Sequence, residues 1–284
     1  MSKKAVWACS NAGLDYLDYP KDITILRSVI HFDDKKQLED YIDIDAETFY
    51  KRISDFPEDV PKTAYVSLGK VEEYIENHIK EGYDEILIIA ISSKLSGLYE
   101  ALCNVARNHD DIKITVFDSK TLAYAQSFMA LSAHRMFAEG KSLEEVLVEL
   151  ENIRDNDYVC FAVDTLKYLV LNGRLSRSSG MIGNFLKLKP LMILNEEGVV
   201  VPVEKIRTTR KAIERMMEDY FEKTDGQKVL TFIPHANNIE EAEHIVSVIK
   251  GKYPEREIIV CPLTPVVGAH SGPKSIGLGF IKGY

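Results

Sequence analysis

Short β-branched runs alternate along the chain with longer stretches in which apolar residues recur every three to four positions. Continuous or alternating apolar runs mark strands and the longer spacing marks helices, so their alternation almost throughout is the signature of an α/β fold. Strands are predicted at Ala5–Ala8, Ile23–Phe32, Ile86–Ile91, Ile114–Phe117, Tyr158–Val163, Met192–Leu194, Val199–Val203, Val229–Ile233 and Ile258–Val260. Helices are predicted over 68–80, 97–108, 121–139, 142–155, 208–223 and 239–251. In LMILNEEGVVVPVEKI two apolar runs flank a Glu-Gly turn, which predicts a hairpin, and antiparallel pairing is expected only in this later half. No glycine-, serine- or proline-rich linker is present; the break is expected at Asp155–Asp157, within RDND, between a long helix and YVCFAVD. That divides the chain into 1–157, an α/β domain with a mainly parallel sheet and flanking helices, and 158–284, an α/β domain with a mixed or antiparallel sheet. No 20–50-residue period repeats, which sets solenoids and propellers aside.

Composition narrows the function classes. With 35 Lys and Arg against 44 Asp and Glu, the 284-residue chain carries a net charge of -9, which argues against general affinity for nucleic acid or anionic membrane. Cys9, Cys103, Cys160 and Cys261 lie far apart in apolar contexts and build neither a CxxC motif nor a zinc pattern. No run approaches the roughly 20 apolar residues of a membrane span. MSKKAVWACSNAG reads as a first strand rather than a signal peptide, so a cytoplasmic protein is expected.

Chemistry-bearing motifs are few. In ILIIAISSKLSGLYEAL, residues 86–102, hydroxyls crowd the point where a strand meets a helix. The glycines of GxSxG are absent around Ser92, Ser93 and Ser96, so a nucleophile elbow is a poor reading. Two readings stay open from this segment alone: helix caps, and a cradle of hydroxyls and N–H groups for an anion beyond the strand's carboxyl end. Ser67 in SLGK is read as an N-cap rather than a lysine-activated nucleophile. GAHSGPKSIG imitates the end of a P-loop, but Pro273 separates Gly272 from Lys274 and removes an N–H from any phosphate cradle. No HxH or HExxH occurs, and neither a metal nor a cofactor is expected.

Three separated segments, PKTAYVS, ISSKLSG and GAHSGPKSIG, together resemble the DegV family of bacterial lipid-binding proteins. DYIDIDAETFY at 40–50, FDS at 117–119, DTLKYLVLNGRLS at 164–176, LKLKP at 186–190 and KIRTTRKAI at 205–213 extend the resemblance over nearly the whole chain. It implies a two-domain fold that encloses one long-chain fatty acid, such as palmitate or oleate, between the domains, with no catalytic residues of its own. It further implies a subunit that presents the acid to a separate ATP-dependent fatty acid kinase and carries the acyl phosphate for phospholipid synthesis. Matched motif to motif, the head group would be held by Thr63, by Ser92 or Ser93 with Ser96 and Gly97 nearby, and by His270. Arg174 would order the domain junction, and Lys205, Arg207, Arg210 and Lys211 are candidates for docking the kinase or a plain solvated helix start.

Physical chemistry fits this division of labour. Hydroxyl and imidazole donors hold a carboxylate by charge-assisted hydrogen bonds, and a histidine near pH 7 can add a positive charge. Each buried CH₂ contributes about 0.8 kcal/mol, so about 15 methylenes gross on the order of 12 kcal/mol before ordering costs. Phe161, Leu166, Leu169, Leu188, Met192 and Phe280 are candidates for the tunnel or for plain core. The chain departs from the family pattern at Cys9, Tyr65, Leu98 and Lys274; Lys274 either adds a cation beside His270 or reaches solvent. Two other classes remain: a serine-dependent acyl-ester hydrolase using Ser93 or Ser96, and a regulatory protein for another amphipathic anion.

Overall fold

A computed structural model describes residues 3–34, 36–175 and 188–284. Ser176, at the end of DTLKYLVLNGRLS, and Leu186 and Lys187 of LKLKP lie outside them. A parallel sheet in the order β2-β1-β6-β7 is formed by β1 (Lys4–Cys9), β2 (Thr24–Leu26), β6 (Glu85–Ala90) and β7 (Lys113–Asp118). Every residue of β6, EILIIA, is buried, as a parallel strand covered on both faces requires. The predicted strand at 23–32 divides: β2 joins this sheet, while β3 (Val29–His31) turns away to pair antiparallel with β4 (Gln37–Glu39) and β5 (Lys62–Ala64). Antiparallel pairing therefore occurs in the first half as well, contrary to expectation. The two partner strands are three residues long and carry no apolar run from which they could be read.

The second sheet runs β10-β9-β8-β13-β11-β12, built from β8 (Asp157–Ala162), β9 (Leu191–Leu194), β10 (Val200–Glu204), β11 (Val229–His235), β12 (Ile258–Pro262) and β13 (Ile276–Lys282). All its pairs are antiparallel except β11 with β12, and β9 and β10 form the expected hairpin. Unpredicted β13, IGLGFIK, alternates glycine with apolar residues and so shows no β-branched run.

Helices and sheets alternate in five layers. α2 (Leu68–Lys80) and α3 (Leu98–Ala106) pack Val71, Ile75, Leu98 and Leu102 on the Ala5, Trp7, Ile86 and Ile88 face of the parallel sheet. α4 (Ala123–Ala138) and α5 (Leu143–Asn156) fill the space between the sheets, and their core takes Val6, Leu87 and Ile89 from one and Leu230, Phe232 and Ile281 from the other. This position explains why α4 is buried on nearly all sides, against the one-faced pattern of a surface helix. α7 (Thr209–Thr224) and α8 (Ile239–Lys252) cover the outer face of the mixed sheet, with α6 (Lys167–Leu171) between β8 and β9 in the chain.

Local chemistry sets the helix ends. Ser142 and Glu145 form a reciprocal capping box at α5, and Asp45 Oδ1 accepts the Thr48 amide at 2.8 Å to start α1 (Ala46–Asp55). Ser67 caps α2 by accepting the Lys70 amide at 3.3 Å, while Lys70 Nζ turns to Glu39 at 3.0 Å, so Ser67 is a cap and Lys70 does not activate it. α5 ends at Asn156 and β8 begins at Asp157.

Candidate functional site

A cavity of about 450 Å³ lies beyond the carboxyl ends of β1 and β6, within the roughly 300–1,000 Å³ of small-molecule sites. Its apolar wall includes Leu122 and Ala123 from the start of α4, and Phe161, Val159 and Phe232 from the inner face of the mixed sheet. Val266 and Val267 from α9 (Pro265–Ser271) complete one side. Phe161 and Val159 are only half-buried despite their central strand, because this face borders the cavity. Among the described residues, no three His, Cys, Asp or Glu side chains stand together as a metal site, and no helix is long and apolar enough to cross a membrane.

Polar groups converge where β5, α9 and the loop after β6 meet. Thr63 Oγ1 and His270 Nε2 are 2.9 Å apart, joining residues 207 positions apart in sequence. With the ring proton on Nε2, the Thr63 hydroxyl accepts it and keeps its own hydrogen to donate to an anion. Asn172 ties the start of β5 to α9: its amide donates to the Pro61 carbonyl at 3.1 Å, two residues before Thr63, and to the Ala269 carbonyl at 2.8 Å, next to His270. Ser96 and Gly97 are on the cavity wall at the entry to α3. Arg174 is there too, donating from Nε to the Leu95 carbonyl at 3.1 Å and from Nη1 to the Asn172 carbonyl at 2.6 Å.

The electrostatics of this end differ from expectation. Burial, with the positive charge of Arg174, pushes the His270 imidazole down to about 3, so at neutral pH it is uncharged. The fixed cation is Arg174, which among the described residues has carbonyl partners and no carboxylate. Lys274 is exposed and adds no charge to the cavity.

Of the expected head-group residues, Thr63, Ser96, Gly97 and His270 share the cavity wall, whereas Ser92 and Ser93 are off it. The Ser92 hydroxyl is fully buried and donates to the Gly198 carbonyl at 2.8 Å, fastening the hairpin turn to the end of β6. The Ser93 amide donates to Asp118 Oδ1 at 3.1 Å in the same loop. Sequence reading assigned Arg174 to the domain junction; it does bridge 95 and 172, but it also faces the cavity, and the NGR motif alone carried no sign of that. Leu169 and Phe161 line the cavity as expected. Leu166, Leu188 and Met192 stand behind them in the same cluster. Phe280 does not: alternation along β13 sends it to the outer face, against Tyr158 and Tyr220. Lys205, Arg207, Arg210 and Lys211 are exposed around the start of α7, with Arg210 Nε donating to Glu214 at 2.9 Å.

Comparison with known proteins adds four likenesses. A family model described as "Uncharacterised protein, DegV family" matches residues 14–283. A fatty acid-binding protein of Thermotoga maritima is 33% identical over 234 residues, 81% of this chain and 80% of its own. The crystal structure of DegV from Bacillus subtilis, described as a fatty acid binding protein, is 30% identical and covers 99% of this chain and 100% of that one with a TM-score of 0.87. A fatty acid binding DegV family protein from Streptococcus agalactiae, 24% identical, shares the fold with a TM-score of 0.90 over 99% of each chain.

Proposed function

The chain belongs to the DegV family, and on that premise we propose that it binds one long-chain fatty acid between its 1–157 and 158–284 domains. The carboxylate is held by the Thr63 hydroxyl, oriented by neutral His270, by the Arg174 guanidinium, and by Ser96 and the Gly97 amide. The hydrocarbon occupies the apolar remainder. The observation that carries this reading is an apolar cavity with a bonded Thr63–His270 pair on its wall beside Arg174, which among the described residues has no carboxylate partner. Charge-assisted hydrogen bonds orient the head group, and the methylenes supply most of the affinity.

In the second part of the proposal the protein presents the acid to a separate ATP-dependent kinase and carries the acyl phosphate for phospholipid synthesis. Lys205, Arg207 and Arg210 form the docking face. Cations at the start of α7 oppose the helix dipole, which favours an explanation outside the helix for their presence. The hydrolase alternative, with Ser93 or Ser96 as nucleophile, gains nothing from the geometry, since Ser93 is off the cavity wall and the His270 imidazole is bonded to Thr63 rather than to Ser96.

Lipid extraction and native mass spectrometry of protein from a bacterial host test the binding. One fatty acid per chain is expected; a protein that is empty and takes up neither palmitate nor oleate overturns the reading. With kinase and ATP added, Arg207→Glu with Arg210→Glu should slow acyl phosphate formation at unchanged fatty acid affinity; an unchanged rate removes the docking face.

A further inference from the structure

Two glycines let neighbouring side chains lie flat across the inner face of the mixed sheet. β13 places Gly277 beside Phe161 and Gly279 beside Val159 of β8, and on its other side Gly279 meets Phe232 of β11. A Cβ at Gly279 would stand 2.3 Å from the Phe232 ring, and one at Gly277 3.0 Å from Pro234 Cγ. The two neighbouring side chains therefore lean into space that any larger residue would take. One step beyond the Cys160–Ile193 pair of the β8–β9 register, Val159 faces Leu194. Leu194, Val159, Gly279 and Phe232 thus form one row across four strands, and Phe161 with Gly277 belongs to the next row, about 6.6–6.8 Å nearer the end of β8 that leads to α6 and Arg174.

Beyond the first row lies a second cavity, of about 960 Å³, bordered by Lys120, Arg154, Asp157, Glu197 and Lys223 and, from the outer face of the sheet, by Tyr158, Ile193 and Phe280. Val159 and Leu194 are on the walls of both cavities. The apolar hole and the charged one are therefore separated at this point by two aliphatic side chains.

We propose that Val159 and Leu194 are the stop that sets the longest acyl chain the protein accepts, an inference that rests on the fatty-acid reading above. A chain anchored by its carboxylate at Thr63 and Arg174 gains from each methylene laid along the apolar wall of the first cavity until its end meets this pair. Past the pair it would enter a space where ionisable groups share the wall with Tyr158, Ile193 and Phe280, so further methylenes gain less apolar contact than in the first cavity. Chain length is then read by the bulk of residues 159 and 194, and the charged cavity behind them makes overrunning unrewarding.

The test is a dissociation-constant series for saturated fatty acids of increasing length on delipidated protein, wild type and Val159→Ala, Leu194→Ala and Val159→Phe, with circular dichroism melting to verify folding. For wild type, affinity should tighten about fourfold per added methylene up to a break and then level off. Both alanine variants should move the break to longer chains, and Val159→Phe to shorter ones. If Val159→Phe fails to fold, the alanine variants decide. A break that stays at the same length in every folded variant overturns the stop while leaving fatty acid binding intact. A wild-type protein that binds no fatty acid at all overturns the parent reading, and the stop falls with it.

Discussion

At the scale of single residues, the polar end of the cavity depends on where protons and charges sit. Burial keeps His270 neutral near pH 7, so in the proposed site it would fix the Thr63 hydroxyl, and the attraction for an anion would come from Arg174. Thr63→Ala and His270→Ala should each weaken fatty acid binding roughly tenfold, and Arg174→Gln by more, as the loss of neutral and charged hydrogen bonds of about 1.5 and 3 kcal/mol implies. Titration calorimetry on delipidated variants checks this, and unchanged affinity in all three removes these residues from the site. Thr63 and His270 were legible because each lies in a short motif of donors next to glycine or proline. Arg174 was legible only as a residue of the NGR motif, since which way a guanidinium points depends on what encloses it. Ser92 misled for a plain reason: a hydroxyl at the end of a strand looks the same in sequence whether it meets a ligand or a neighbouring carbonyl.

Among the elements, long helices and buried strands were read to within a few residues, since their apolar periodicity is written in contiguous sequence. β4 and β5 were missed because they are short and half-polar, and β13 because glycines interrupt it; in each case strand formation comes from partners distant in sequence. The β9–β10 hairpin adds a test at this scale. Gly198 at its turn has φ +78°, and a Cβ there would lie 2.3 Å from Ser92 Oγ and 2.8 Å from the Lys120 carbonyl. Gly198→Ala combines left-handed strain with that overlap and should cost about 2 kcal/mol or more. Ser92→Ala, which loses the clasp to Gly198 and the Lys94 amide's bond to Ser92 Oγ and leaves a buried carbonyl unpaired, should cost about 1–3 kcal/mol. Urea unfolding of the two variants checks both figures, and a stability within 0.5 kcal/mol of wild type for Gly198→Ala, roughly the scatter of neutral surface changes, would mean the turn does not seat on β6.

For the whole molecule, ionisable groups buried among the layers make stability depend on pH from both sides. Asp40 is fully buried, and burial pushes its carboxyl up to about 7 against the smaller pull of the Ser10 hydroxyl and the Val266 amide. Asp157 is raised to about 7 by burial as well. Between the ordinary 3.8 and these values the folded protein keeps protons that the unfolded chain has released, so stability falls as pH rises through this window. His270, depressed to about 3, acts in the opposite sense: its uncharged form favours folding above 6.5, and that contribution is lost as pH falls toward 3. Asp40→Asn should therefore be more stable than wild type at pH 8, by on the order of 2 kcal/mol, with the difference shrinking toward pH 5. Thermal melts at the two pH values check the sign; a gap that is constant with pH would mean that Asp40 is not the titrating group.

The helix that carries His270 rests on a ring from the opposite side of the chain. Gly268 lies so close over Tyr50 that a Cβ would come within 2.4 Å of its phenolic oxygen, and that phenol donates to the Leu263 carbonyl at 3.0 Å just ahead of α9. Positions 50 and 268 consequently cannot drift independently: a lineage that enlarges one must shrink the other, or the imidazole loses its seat. Covariation of this pair across relatives, rather than invariance of either member, is the evolutionary trace the contact should leave.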